Sequence, residues 1–134
     1  MNEGCDNINS EIPLIGKMIN FYKKLYSCRQ TVSRLDRYTI WQKSENITLE
    51  VMENILTASQ MNKSTKLPYL ENASVKINLL KIVIRLVKEV KAIDDKKYIS
   101  LQQSLDEIGR MLGGWVKSMK NYWSQTAPGK QELF

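Results

Sequence analysis

Lys81, Arg85 and Lys88 stand four and three residues apart, a spacing that puts three cations on one helix face within about 11 Å. That length is close to two phosphate steps along a nucleic-acid strand. The chemistry such a row can do is electrostatic: sequence-blind, salt-sensitive contact with a polyanion. The same residues would serve equally as a solvated helix face, and spacing does not separate the two uses. Lys76 and Lys91 add to the local charge, and residues 76–91 hold five cations against Glu89 alone. Arg34, Arg37 and Lys43 could widen the patch from a second helix. Arg34 and Arg37 fall near that helix's N-terminus, where a cation is mildly unfavourable, which hints that they have a partner.

Other chemistries find less support. The 134 residues include no histidine, so the usual zinc and iron sites and any histidine-based triad are excluded. Glu45, Glu50 and Glu53, or Asp106 with Glu107, could suggest paired carboxylates, but a di-iron bundle also needs Glu-x-x-His pairs. These acids read as solvated or paired with lysine. Cys5 and Cys28 are too few for a disulfide framework or a metal cluster, and no Gly-rich phosphate loop is present. The expectation is a non-enzymatic protein with no catalytic residue, no metal and no cofactor. Trp41, Trp115, Tyr122 and Trp123 could stack on bases. Trp41 and Trp115 fall on apolar stripes, where packing is the stronger reading, and Trp123 at a helix edge suits an interface anchor.

The elements that carry these residues read as all-α. Residues 1–11 form a polar leader expected to be disordered, residues 12–123 a four-helix bundle, and 124–134 a flexible tail. The helices are expected at about 13–28, 34–61, 68–91 and 96–123. Pro13 and Pro68 suit first helical turns, and Ser33 suits an N-cap. Leu14, Met18, Phe21, Leu25 and Cys28 mark the first stripe; Tyr38, Trp41, Thr48, Met52 and Ile55 mark the second. Short connections make the topology up-down-up-down, each helix antiparallel to its sequence neighbours. No run reaches the roughly 18 apolar residues needed to span a membrane, and the first residues lack the form of a signal peptide. A cytoplasmic location without membrane contact is expected.

Two helices carry more than a bundle requires. Helix three has an apolar row Ala73, Ile77, Leu80, Ile84, Val87 and a second one, Leu79, Val83, Leu86, Val90, Ile93. Either this helix is central in its own bundle or one row is buried against another subunit, and four helices leave none enclosed. On helix four, Tyr98, Leu101, Leu105, Ile108, Leu112, Trp115, Met119 and Tyr122 form an unbroken seam. Gly109, Gly113 and Gly114 interrupt it at about 1 kcal/mol each. Gly109 and Gly113 share a face, so a groove for close helix packing beside Trp115 is expected, with a helix break at Gly113–Gly114 as the alternative.

The run Leu105-Asp106-Glu107-Ile108-Gly109-Arg110-Met111-Leu112-Gly113-Gly114-Trp115-Val116-Lys117-Ser118 closely resembles the C-terminal motif of the accessory variability determinant proteins of diversity-generating retroelements. Arg37-Tyr38-Thr39-Ile40, Lys66-Leu67-Pro68 and the stretch from Leu80 to Glu89 are similar to other segments of that family, and the likeness covers about residues 12 to 120. Trp41 departs from it, standing where the family commonly has glycine. The resemblance implies a homopentameric barrel of four-helix protomers. It also implies a non-enzymatic role, binding the element's reverse transcriptase and its template RNA or cDNA through a basic surface matched here to Lys81, Arg85 and Lys88. The bundle proteins of ribosomal RNA intervening sequences share the architecture and are the alternative.

Overall fold

Proline at position 13 presets φ for a first helical turn, and helix α1 starts there in the computed structural model, which describes residues 13–126. α1 spans Pro13–Cys28 and buries Leu14, Ile15, Met18, Phe21, Leu25 and Cys28. A 3-10 turn, Arg29–Thr31, follows. Ser33 then caps the next helix, its Oγ accepting from the Asp36 backbone N–H at 3.3 Å. Helix α2 comprises Arg34–Asp36, a π-helical stretch Arg37–Trp41, and Gln42–Gln60. Helix α3 is Leu67–Glu89, with Pro68 in its first turn, and α4 is Asp95–Thr126. Ser124, Gln125 and Thr126, expected in the tail, continue α4. The leader 1–11, with Cys5, and the tail beyond Thr126 lie outside the described residues.

Cross-helix contacts fix the order of packing. Lys24 Nζ of α1 donates to Ser100 Oγ and Ser104 Oγ of α4, and Lys17 pairs with Glu107. Lys88 of α3 lies over Tyr98, while Lys81 pairs with Asp106. Numbers rise along one helix as they fall along its neighbour, so these pairs are antiparallel. α1 packs on α2 and α4, and α3 packs on the same two. Four helices close a ring around Met18, Phe21, Trp41, Ile55, Leu80, Ile84 and Leu105, all between 0% and 1% exposed.

The π-helical stretch changes the phase of α2. One extra residue in a turn shifts the helix by about 100°, and Tyr38 is left 55% exposed while Trp41 is sealed at 0%. The expected stripe of α2 is corrected at Tyr38 for that reason. Trp41 and the polar side chains Ser44, Glu45 and Thr48 are all buried on this part of α2. Ser44 and Thr48 satisfy their hydroxyls by donating to the carbonyls of Ile40 and Ser44, at 3.1 and 2.8 Å. Glu45 accepts from Arg29 Nη1 at 2.6 Å. That hydrogen bond is the largest influence holding the Arg29 guanidinium above its ordinary pKa. Arg29 also lies 5.5 Å from the centre of the Tyr38 ring, so the displaced tyrosine becomes a lid over the ion pair.

The α4 seam is continuous through Gly113–Gly114, with Leu101, Leu105, Ile108, Leu112 and Met119 buried. The glycine groove, by contrast, does not form as expected. A Cβ at Gly109 would stand 3.3 Å from Lys81 Nζ and 3.9 Å from Ile77 Cγ2, whereas Cβ atoms at Gly113 and Gly114 would meet nothing within 4 Å. Four residues advance a helix by about 400°, so Gly113 is turned further from the seam than Gly109. Gly109 therefore admits the tip of a lysine, not another backbone, and Gly113 and Gly114 pack on nothing among the described residues.

Replacing Gly113 by Ala should raise protomer stability by about 0.5–1 kcal/mol; urea unfolding checks this, and a destabilised variant would mean the position has a contact. A pH test addresses Lys17–Glu107. The hydrogen bond from Lys17 holds the Glu107 carboxyl below its ordinary value of 4.5. A carboxyl depressed by folding adds stability above the ordinary value and loses it as pH falls through the lowered one. Parent and Glu107→Gln should thus differ in unfolding midpoint at pH 7 and converge as pH falls from 4.5 through the lowered value.

Candidate nucleic-acid and partner interface

α3 is built with three faces. Leu70, Ala73, Ile77, Leu80, Ile84 and Val87 are buried at 0–1% exposure. The second apolar row needs redrawing. Val83 and Ile93 are 7% exposed, while Leu79 (41%), Leu86 (43%) and Val90 (55%) point outward and are joined by Val75 (65%) and Ile82 (58%). The outward row is therefore Val75, Leu79, Ile82, Leu86, Val90, at spacings of four, three, four and four, on the side opposite the core. Val83 leaves it because it lies seven residues after Lys76, on the same face. Lys76 Nζ meets Glu50 of α2 at 2.9 Å, so that face turns to α2.

The basic row occupies the remaining arc and leans toward α4. Lys81 Nζ lies 3.3 Å from Asp106, and Arg85 Nε lies 3.2 Å from Glu89. Lys88 Nζ sits 4.8 Å from the centre of the Tyr98 ring. Each candidate cation therefore has a partner inside the protomer. Surface pairs of this kind contribute about 0–1 kcal/mol, so an incoming polyanion can displace the carboxylates at little cost. Arg85 keeps 70% of its side chain in solvent.

Lys91 and Arg34 differ, since neither forms an ion pair among the described residues. Lys91 adopts φ 64° and closes the end of α3. Its own N–H donates to Lys88 O at 2.9 Å and the Ala92 N–H to Val87 O at 3.0 Å. A helix stop of this form favours glycine, and a lysine there costs about 1–2 kcal/mol. Arg37 turns inward. Its Nε donates to Arg29 O at 3.1 Å, and its Nη2 to Gln30 O and Val32 O at 3.2 and 3.1 Å. The partner suggested by its place at a helix start is the 3-10 corner before α2.

Spacing gave no sign of a second basic region at the opposite end of the ring. Lys63 Nζ lies 5.5 Å from the centre of the Tyr122 ring, and Lys66 Nζ lies 5.4 Å from that of Trp115. The only available signal was two lysines bracketing a loop before Leu67-Pro68. Trp115 is half-buried and packs against the core. Among the described residues no group of histidine, cysteine, aspartate and glutamate side chains is arranged to hold a metal ion, and Cys28 is a buried free thiol.

A family profile described as bAvd-like matches residues 13–119, from the first residue of α1 into the last turns of α4. The chain belongs to the bAvd-like family. The name denotes the Bordetella accessory variability determinant, and bAvd-like proteins are accessory and non-catalytic, associated with the machinery of diversity-generating retroelements. A search of curated proteins finds no match. No helix among the described residues of this bAvd-like chain is long and apolar enough to cross a membrane.

Lys91→Gly should stabilise this bAvd-like fold by about 1 kcal/mol in chemical denaturation, because glycine adopts the left-handed stop without penalty. An unchanged or lowered stability would mean the lysine side chain compensates its own strain.

Proposed function

We propose that this protein is the accessory subunit of a diversity-generating retroelement, assembled as a homopentamer. It binds the element's reverse transcriptase and its template RNA or cDNA through a basic surface and supports mutagenic reverse transcription. The observation that carries this reading is the outward apolar row of α3 beside the basic row. Val75, Leu79, Ile82, Leu86 and Val90 are 41–65% exposed, and burying such surface is worth about 25 cal/mol per Å². A second copy of the chain is the partner whose geometry closes a ring. Assembly then repeats Lys81, Arg85, Lys88 and Lys91 once per protomer, which raises valency toward a long polyanion. Lys76, which pairs with Glu50 on the α2 side, and Arg34 are secondary candidates for the same contact. Cations of this kind read phosphates, not bases, as suits an accessory that serves a template without selecting its sequence. Arg37 belongs to the fold and has no part in the proposed contact.

Light scattering on a sizing column should give the pentamer mass for the parent. Ile82→Glu with Leu86→Glu should give the protomer mass with helical content retained. The neighbouring reverse transcriptase and its transcript should co-purify with the parent. Lys81→Ala, Arg85→Ala and Lys88→Ala together should weaken RNA binding and reduce the salt slope by about 2, at roughly 0.7 per phosphate on a single strand. A monomeric parent overturns the assembly, and undiminished RNA and polymerase capture by the triple variant overturns the surface.

A further inference from the structure

The end of the ring formed by the α2–α3 loop and the last turns of α4 holds two adjoining recesses. One, of about 460 Å³, is lined by Lys63, Lys117, Ser118, Asn121 and Gln125 around Gly114, and no carboxylate is among its lining residues. Every one of those side chains offers a hydrogen-bond donor, so the recess suits an anion. The other is lined by Leu67, Pro68 and Trp123 with Ser64, Thr65 and Glu71, and Glu71 is held by Lys120 at 3.5 Å. Consecutive residues border the two: Lys63 the first and Ser64 the second, Tyr122 the first and Trp123 the second.

The loop between them is ordered from within. Asn62 Oδ1 accepts from the Ser64 N–H at 3.1 Å, from Ser64 Oγ at 2.6 Å and from Thr65 Oγ1 at 2.9 Å. Lys63 and Lys66 lie over Tyr122 and Trp115 and make no ion pair among the described residues, so their charge is not neutralised as that of Lys81 and Arg85 is. Gly114 weakens α4 yet packs on nothing among the described residues, and it leaves the middle of the polar recess open. A donor-lined recess beside an apolar one with an indole and a proline matches the alternation of phosphate and base in a single strand.

We infer that this end is a single-strand contact: Lys63 and Lys117 hold a phosphate over Gly114, and the neighbouring base enters the recess of Leu67, Pro68 and Trp123. The inference rests on the reading that the protein binds template RNA or cDNA, and names where a strand is held apart from the side of α3.

The test uses the full-length protein and a fluorescein-labelled 12-nucleotide single strand, as DNA and as RNA, in anisotropy titrations across salt. Lys63→Ala with Lys117→Ala should weaken binding roughly tenfold and lower the salt slope by about 1.4. Gly114→Leu should raise the melting temperature while weakening binding several-fold, separating a filled recess from a damaged fold. Tryptophan emission should be quenched by the strand in the parent and not in Trp123→Phe. Lys23→Ala, an exposed cation on α1, should leave affinity within about twofold. Strand binding that survives the Lys63/Lys117 and Gly114 variants unchanged overturns this site and leaves the functional reading standing. No strand binding by the parent overturns both. Competition by inorganic phosphate at the oligonucleotide's own concentration overturns the assignment to a strand.

Discussion

Helix α3 carries apolar side chains on opposite sides, and a ring of four helices can bury only one of them. Leu70, Ala73, Ile77, Leu80, Ile84 and Val87 meet the protomer's own core, which commits Val75, Leu79, Ile82, Leu86 and Val90 to the outside. Between the faces remain two narrow arcs. The α2 side takes Lys76 with Glu50, and the α4 side takes Lys81 and Lys88 with Asp106 and Tyr98. The positions of the cations thus follow from which sides of α3 are already apolar. Gly109 belongs to the same arrangement, since the space left by its missing Cβ is where the end of Lys81 lies.

Charge and its compensation are distributed unevenly over the bundle. Along the side of α3 Lys76, Lys81 and Arg85 meet carboxylates, whereas Lys63, Lys66 and Lys91 toward the bundle ends form no ion pair among the described residues. Lys91 projects from a helix stop without an acidic partner among the described residues, while Lys63 and Lys66 lie against aromatic faces, which attract a cation without cancelling its charge. A positive field is strongest where no opposite charge stands beside it. The bundle ends therefore contribute more to that field than a count of lysines along α3 suggests.

Much of the fold was legible from periodicity because α1, α3 and α4 keep a regular helical period, and buried leucines and isoleucines report it directly. Gly109 was misread because a glycine carries no side chain to show what lies opposite; a flexible lysine tip and an open surface leave the same mark. Continuity of apolar type puts Val83 and Ile93 in the second row of α3, and only the direction of α2, fixed by Lys76–Glu50, removes Val83. Arg37 was unreadable because its acceptors are main-chain carbonyls, which every residue has. The family was legible for a different reason: the segment from Asp106 to Trp115 is a specific string, not a periodic pattern.

The π-helical stretch before Gln42 acts on the chain as a register adjuster. A residue accommodated between Arg37 and Trp41 turns only what precedes it, so Thr48, Ile55 and Ala58 stay inward whatever the length of the corner that leads into them. Insertions and deletions near the α1–α2 corner can accordingly be absorbed at one end of the bundle. What still ties that corner to α2 beyond the stretch is the ion pair of Arg29 with Glu45.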